Sequence, residues 1–233
     1  MATAVLTQDQ PERFRSIAAP LHTVVVLAAQ ATLSYLGKIH TDQQRLAGTL
    51  NRVHTYERTI LVEWLMLGLL VIGVLLHGSP VGAVLGERWR SAKQFFSDLG
   101  TGLAFLVVSI AVLSMLGGHG QGPDAATSFL LPRTQFERLL WIAMALTAGI
   151  CEEALFRGYL QRQFMALTNS AAAGIALSAA AFGAAHAYQG WRHAVPIALL
   201  GAMLGGLAFW RKSLRPGMIA HATQDLLAIL VGH

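Results

Sequence analysis

Residues 134–160 read Thr-Gln-Phe-Glu-Arg-Leu-Leu-Trp-Ile-Ala-Met-Ala-Leu-Thr-Ala-Gly-Ile-Cys-Glu-Glu-Ala-Leu-Phe-Arg-Gly-Tyr-Leu. Thr134 followed three residues later by Glu137 is a capping box, the signature of a helix start. From Arg138 to Leu160 the run is mostly apolar, and a helix needs about 20 such residues to cross a bilayer core. Yet it holds Cys151, Glu152, Glu153 and Arg157 near its middle and end. Ionisable side chains inside a span are costly, so each one is a candidate for function.

The rest of the chain agrees with a membrane setting. Of its 233 residues, 54% are hydrophobic and 12% charged, against roughly 25% charged in a soluble domain. So little charge cannot easily clothe a water-soluble core, which argues against a soluble enzyme, a disordered tail or a nucleic-acid module. The net charge of +5 comes from basic residues scattered between apolar runs, as expected of loops beside an anionic membrane surface. A single cysteine, Cys151, excludes an internal disulfide framework and a multi-cysteine zinc site. Met1 to Arg15 lacks the basic-then-apolar layout of a cleaved signal peptide. Arginine outnumbers lysine 14 to 3, which hints at a GC-rich bacterial genome and an inner (cytoplasmic) membrane.

Apolar runs at 18–36, 60–77, 99–116, 138–160, 171–188, 194–210 and 217–232 predict an all-α, multi-pass bundle of about seven spans, with six or eight as alternatives. The polar stretch 38–58 keeps Leu46, Leu50 and Val53 at helical spacing and is expected to extend the second span into water. Residues 78–97 mix Leu85, Trp89, Phe95 and Phe96 with Arg88, Arg90 and Lys93, which suits an interfacial helix as well as an ordinary loop. The Gly- and Pro-rich segment 117–132 separates N-terminal helices and interfacial segments, 1–133, from a chemically richer core, 134–233. Basic residues divide too evenly between the loops to fix the orientation.

In the N-terminal half His22, Gln30, Glu63 and His77 lie mostly near span ends and read as interfacial. The C-terminal half has three internal clusters: Cys151 to Arg157, Phe182 to His186, and His221 to Asp225. At about 100° per residue, Glu153 and Arg157 share a helix face, whereas Glu152 points about 140° away from Arg157 and needs another partner. The alternative for Glu152 is a surface carboxylate beyond the membrane edge. If the chain turns near Asn169, Glu152 and Glu153 lie 16 to 17 residues before the turn and His186 lies 17 after it. A Glu152–His186 contact is then allowed. His221 and Asp225 also share a face, but simple turns near 190 and 214 leave His221 about ten residues, roughly 15 Å, off that level. A re-entrant 187–195 segment or a tilted sixth span would close the gap. Gly201, Gly205, Gly206 and the small residues at 171–181 allow close helix approach.

The chain has no His-Glu-x-x-His zinc helix and no Gly-x-Ser-x-Gly elbow. What remains is a carboxylate, two histidines and Asp225. A carboxylate paired with a histidine can hold and deprotonate water, and a second His/Asp pair can stabilise an oxyanion. The same side chains are also ordinary zinc ligands.

Glu-Glu-x-x-x-Arg at 152–157, Phe-x-x-x-His at 182–186 and His-x-x-x-Asp at 221–225 resemble, in this order, the CPBP (or Abi) family of CAAX prenyl type II and bacteriocin-processing intramembrane proteases. The likeness covers about 134–232. It implies an endopeptidase acting on a membrane-associated protein or peptide within or beside the lipid. Glu152 and His186 would activate water, His221 and Asp225 would form the oxyanion site, and Glu153 and Arg157 would support Glu152. Phe182 belongs to the second motif. Members have been described both as glutamate proteases and as metalloproteases. Glu152, His186 and His221 would be the zinc ligands in the second case, and the metal-free form is favoured here because they make no compact metal motif. Asp225 stands where the family accepts Asn or Asp, and an ionised Asp cannot donate to an oxyanion. Two other functions fit the same polar cluster: a non-catalytic immunity or chaperone-like membrane partner, and a proton-coupled transporter. The partners expected are lipid and the substrate, with no nucleic acid; the oligomeric state is left open.

Overall fold

The capping box at Thr134 is present: its hydroxyl accepts from the Glu137 N–H at 3.2 Å, and Glu137 accepts in return from the Thr134 N–H at 3.0 Å. The computed structural model describes residues 13–115, 128–189 and 191–231, and among them there is helix and no strand. We name the helices α1 (Pro20–Leu46), α2 (Arg52–Leu76), α3 (Gly82–Leu85), α4 (Ala92–Leu113), α5 (Gln135–Thr168), α6 (Ala171–Ala185), α7 (Trp191–Arg211) and α8 (Arg215–Val231). The expected signal-peptide test at residues 1–12 and most of the Gly- and Pro-rich break at 117–132 lie outside the described residues.

Each of the seven expected runs falls on one of the long helices α1, α2 and α4–α8. By length and apolarity α2, α4, α5 and His193–Arg211 of α7 suffice to cross a membrane, and α6 is a shorter apolar helix. Leu65, Leu76, Val107, Leu146 and Trp210 are turned outward, the arrangement of a bundle solvated by lipid. The chain is an integral membrane protein.

Local chemistry sets most boundaries. Asn51, Ser91 and Ser170 each accept from the N–H three residues on, capping α2, α4 and α6. Asn169 takes the left-handed conformation, φ 49°, and turns α5 into α6 where the sequence placed the hairpin. One expectation is corrected, and one open alternative is decided. The polar stretch after residue 37 continues α1 up to Leu46, and α2 starts afresh at Arg52, because the turn at 47–50 and the Asn51 cap interrupt it. Residues 78–97 form no single interfacial helix: short α3 ends at Gly86, φ 77°, and Ser91 starts α4 with Phe95 and Phe96 in its first turns.

The core is made where α2, α5 and α6 meet, around Leu70, Val74, Phe156, Tyr159, Leu160 and Phe182. Helix α2 packs on α5, α4 on α8, α5 on α8, and α6 on both the second half of α5 and α7. His22 lies between helices and not at a water boundary, its Nδ1 2.6 Å from the Tyr159 hydroxyl and its Nε2 3.1 Å from the Leu69 carbonyl. Gly73 makes room for that ring, since a Cβ there would stand 2.2 Å from it.

A second close approach joins α5 to α8. A Cβ on Gly149 would come within 2.7 Å of the Ala222 Cβ and 2.9 Å of its backbone nitrogen. Overpacking a rigid contact costs about 1–3 kcal/mol. Gly149→Val is therefore expected to lower the Tm of the detergent-solubilised protein and, by pushing α8 outward, to reduce activity as well. A Tm equal to wild type would show the two helices to be looser than described.

Candidate active site

Helix α5 changes character where its two glutamates begin. From Glu153 to Leu160 its turns widen to π-helical geometry, and all eight of these residues are buried. Such widened turns occur mostly at functional sites. Ser178 of α6 donates to the Phe156 carbonyl at 2.5 Å, so a neighbouring helix supplies a donor inside the widened ladder.

Glu153 and Arg157 are paired along the helix as their spacing predicts. Arg157 Nη1 donates to Glu153 Oε1 at 2.8 Å, and its Nη2 donates to the Gly201 carbonyl at 3.2 Å. The guanidinium lies 4.3 Å from the centre of the Phe182 ring. Both side chains are shielded from the surroundings, 1% and 0% exposed, so each depends on the other for charge balance. Gly217, in the first turn of α8, lets that helix end approach the carboxylate: a Cβ there would lie 3.0 Å from Glu153 Oε2. The positive end of the α8 dipole favours a negative charge at that position.

Glu152 points to the other side, as its angle requires, and meets both histidines. Its Oε2 lies 3.9 Å from His186 Nε2 and 3.8 Å from His221 Nε2. His186 caps the end of α6, and its Nδ1 is 2.9 Å from the Phe182 carbonyl. A carbonyl only accepts, so Nδ1 carries the proton and a neutral His186 turns the lone pair of Nε2 toward Glu152. Phe182 separates the two imidazoles, its ring centre 4.7 Å from that of His186 and 5.9 Å from that of His221.

His221 is held from the other side by Glu153, its Nδ1 3.1 Å from Glu153 Oε1. The same carboxylate oxygen thus takes bonds from Arg157 and His221, a link between the two motifs that the sequence did not suggest. Asp225 follows one turn later, with Oδ2 3.8 Å from His221 Nε2, and is the most open of the group at 36% exposed. Its backbone carbonyl accepts from the Trp141 indole N–H at 3.0 Å, fixing this turn of α8 against α5.

His221 reaches the level of His186 through the path the chain takes between α7 and α8. The Gly201 carbonyl meets Arg157, and the Gly205 carbonyl accepts from Gln161 at 3.0 Å. Beyond that point α7 leaves α5, and Leu214 packs back beside Gly158. Between Gly205 and Leu214 the chain has returned from the level of Gln161 to that of Gly158. That return closes the gap of the parallel-helix count, and α7 runs unbroken through Pro196.

One site residue was misread as interfacial. Glu63 of α2 interacts with the carboxyl of Glu152 and with His221 and Asp225. Its Oε2 and that of Glu152 are both buried and receive no hydrogen bond from the protein. The apolar run begins near residue 60, which put Glu63 at a span end; the helix begins at Arg52, which puts Glu63 well inside it. The signal available was an acid in an apolar helix, the same signal that singled out Glu152. Cys151, also buried, lies beside these acids and away from any activating cation.

Glu152, His186 and His221 are the side chains that would hold a zinc ion. Among the described residues no group of three or more His, Cys, Asp or Glu side chains is arranged to hold a metal ion. The Glu152–histidine separations of 3.8 and 3.9 Å exceed the edge of a zinc tetrahedron, about 3.4 Å for bonds of ~2.1 Å. As placed, the side chains do not fit the ion.

Comparison with known proteins bears on the C-terminal part of the chain. No curated protein and no solved structure matches it. Residues 134–227, less than half of the chain, match the family model described as type II CAAX prenyl endopeptidase Rce1-like. The match runs from the capping box of α5 past Asp225, taking in all three polar motifs. This segment is similar to the Rce1-like type II CAAX prenyl endopeptidases.

Proposed function

We propose that the protein is an intramembrane endopeptidase in which Glu152 and His186 activate the water that cleaves a peptide bond of a membrane-associated protein or peptide. The observation that carries this is the placement of Glu152 Oε2 at 3.9 Å from His186 Nε2 and 3.8 Å from His221 Nε2. Those separations are too long for direct hydrogen bonds. A water about 2.8 Å from both Glu152 and His186 can bridge them, with an angle of about 88° at its oxygen.

In this mechanism Glu152 takes one proton from the water while His186 Nε2 accepts a hydrogen bond from the other. The hydroxide oxygen bonds to the carbonyl carbon, and the carbonyl electron pair moves onto its oxygen. His221 receives that oxyanion. With its Nδ1 proton committed to Glu153, it can donate from Nε2 only as an imidazolium, a charge that Glu152, Glu153 and Asp225 surround. Collapse of the tetrahedral species breaks the C–N bond, and Glu152 returns its proton to the leaving amine. Asp225, lacking a proton to give when ionised, orients and balances His221. Glu63 limits where the Glu152 carboxyl can sit, and no step passes through a metal.

The test is a comparison of membrane proteomes from cells carrying the wild type or Glu152→Ala. An uncleaved precursor accumulating only with the variant supports the reading; identical termini in both, with the variant present at normal abundance, would overturn it. With a substrate in hand, chelation by 1,10-phenanthroline is expected to leave cleavage unchanged. Loss of activity restored by added zinc would replace the water-activation scheme by a metal-assisted one.

Glu63→Gln offers a separate check. The amide places an N–H donor against the Glu152 carboxylate, weakening it as a base. Cleavage is expected to fall by about tenfold, less than for changes at Glu152 itself. Unchanged activity would assign Glu63 to packing alone.

A further inference from the structure

The end of the bundle where α7 turns into α8 carries more positive charge than its acids neutralise. Asp98 of α4 is buried there and accepts from the Trp89 indole N–H at 2.9 Å and from Arg211 Nη2 at 3.3 Å. Arg215 Nη1 shares the same carboxylate from 3.7 Å, and its guanidinium lies 4.9 Å from the Trp89 ring centre. One aspartate thus serves two arginines. The Nε of Arg211 and both Nε and Nη1 of Arg215 are buried with no hydrogen-bond acceptor, and Arg215 as a whole is only 8% exposed.

These groups line a cavity of about 500 Å³. Arg162 and Lys212 also line it, and its acids are Asp98 and Glu87, so four cations face two carboxylates. Glu87 is already paired with Arg90; Arg162 Nη1 donates to the Ala83 carbonyl at 2.6 Å and Arg211 Nη2 to the Ser97 hydroxyl at 3.1 Å, which leaves Arg211 Nε and Arg215 Nε and Nη1 without an acceptor. Buried N–H groups of a charged side chain are expensive when unsatisfied. Planar guanidinium donors match the oxygens of a phosphate.

The position favours a lipid as the source of that phosphate. Helices α4 and α8 begin here and α7 ends here, so the cavity lies at the boundary between the apolar spans and the polar surface. Phe96, Phe209 and Trp210 are exposed on the same end, as in the aromatic belts that mark the headgroup level. Basic pockets between helices at this depth suit anionic headgroups. We propose that this cavity binds the phosphate of an anionic phospholipid, whose oxygens bridge α4, α5 and the α7–α8 turn. The bound lipid would steady the helix that carries His221, six residues beyond Arg215. The inference is independent of the peptidase chemistry.

The experiment uses the full chain in neutral detergent, with native mass spectrometry and thermal shift as readouts. Phosphatidylglycerol, phosphatidylcholine and inorganic phosphate are added separately. Phosphatidylglycerol is expected to be retained as a single adduct and to raise the Tm, with roughly tenfold preference over phosphatidylcholine. Arg211→Gln/Arg215→Gln should abolish retention. Because that variant leaves Asp98 buried without its arginine partners, Arg162→Gln/Lys212→Gln is the second probe; both side chains are exposed at the rim, and retention should weaken several-fold. Equal retention of the two lipids, or unaltered retention by Arg162→Gln/Lys212→Gln, would overturn the proposal. Inorganic phosphate alone protecting as well as phosphatidylglycerol would overturn the lipid as the source.

Discussion

Glu152→Gln is expected to lower peptide cleavage by about a thousandfold or more while leaving the Tm close to wild type. General-base catalysis by a positioned group contributes roughly 10²–10⁴-fold, and here one carboxyl both takes the proton from water and returns it to the leaving amine. The amide is nearly the same size, so packing is kept. It also removes a negative charge that repels the carboxyl of Glu63 and balances His221, two effects of opposite sign. A structural role alone would leave activity intact whatever the Tm, whereas the base role predicts activity lost at unchanged Tm. His186→Ala should act alike. Its Nδ1 anchor on the Phe182 carbonyl shows a ring held in one tautomer, and removing the ring removes the second point that locates the water. The double variant should be no worse than about the poorer single one, because groups that act as a unit are not additive. Cleavage by either single variant at near wild-type rates would end the proposal.

Which parts of this site could be read from the sequence depended on whether a feature was local. The Thr134–Glu137 box, the Asn169 turn and the Glu153–Arg157 pair are set by residues within one or two turns, and all are found as expected. The Glu152–His186 level needed only one hairpin of known register. His221 needed the return of the chain between Gly205 and Leu214, marked by Gly201 and Gly205 approaching Arg157 and Gln161 and by Leu214 lying against Gly158. Such a path arises from many contacts at once and leaves no periodic trace. The π turns at Glu153–Leu160 are hidden for a similar reason, since a residue-by-residue apolar pattern does not distinguish 3.6 from wider turns when every side is buried. Glu63 was obscured by a boundary error of less than ten residues, because the polar first turns of α2 look like loop. The family likeness, confined to 134–227, had nothing to say about it.

Arg157→Met is expected to be the most destabilising single change in the core. It removes the guanidinium that balances Glu153, whose carboxylate is 0% exposed, and leaves His221 Nδ1 as the remaining donor to Oε1 and Oε2 with none. Breaking a buried ion pair from one side costs about 3–5 kcal/mol, because the remaining charge is left uncompensated. The methionine keeps contact with Phe182 but loses the bond to the Gly201 carbonyl and the stacked guanidinium. A second substitution then separates stability from chemistry. In Glu153→Gln/Arg157→Met no buried charge is stranded, and much of the lost Tm should return, as neutral replacements of buried pairs often cost little. Activity should not return with it. Glu153 Oε1 is also the partner of His221 Nδ1 at 3.1 Å, and an amide cannot stabilise the imidazolium that donates to the oxyanion as a carboxylate does. The expected pattern is thus a low Tm and no cleavage for the single variant, and a recovered Tm with cleavage still down by about a hundredfold for the double. Recovery of both would make Glu153 and Arg157 a packing device alone, with His221 positioned by some other contact.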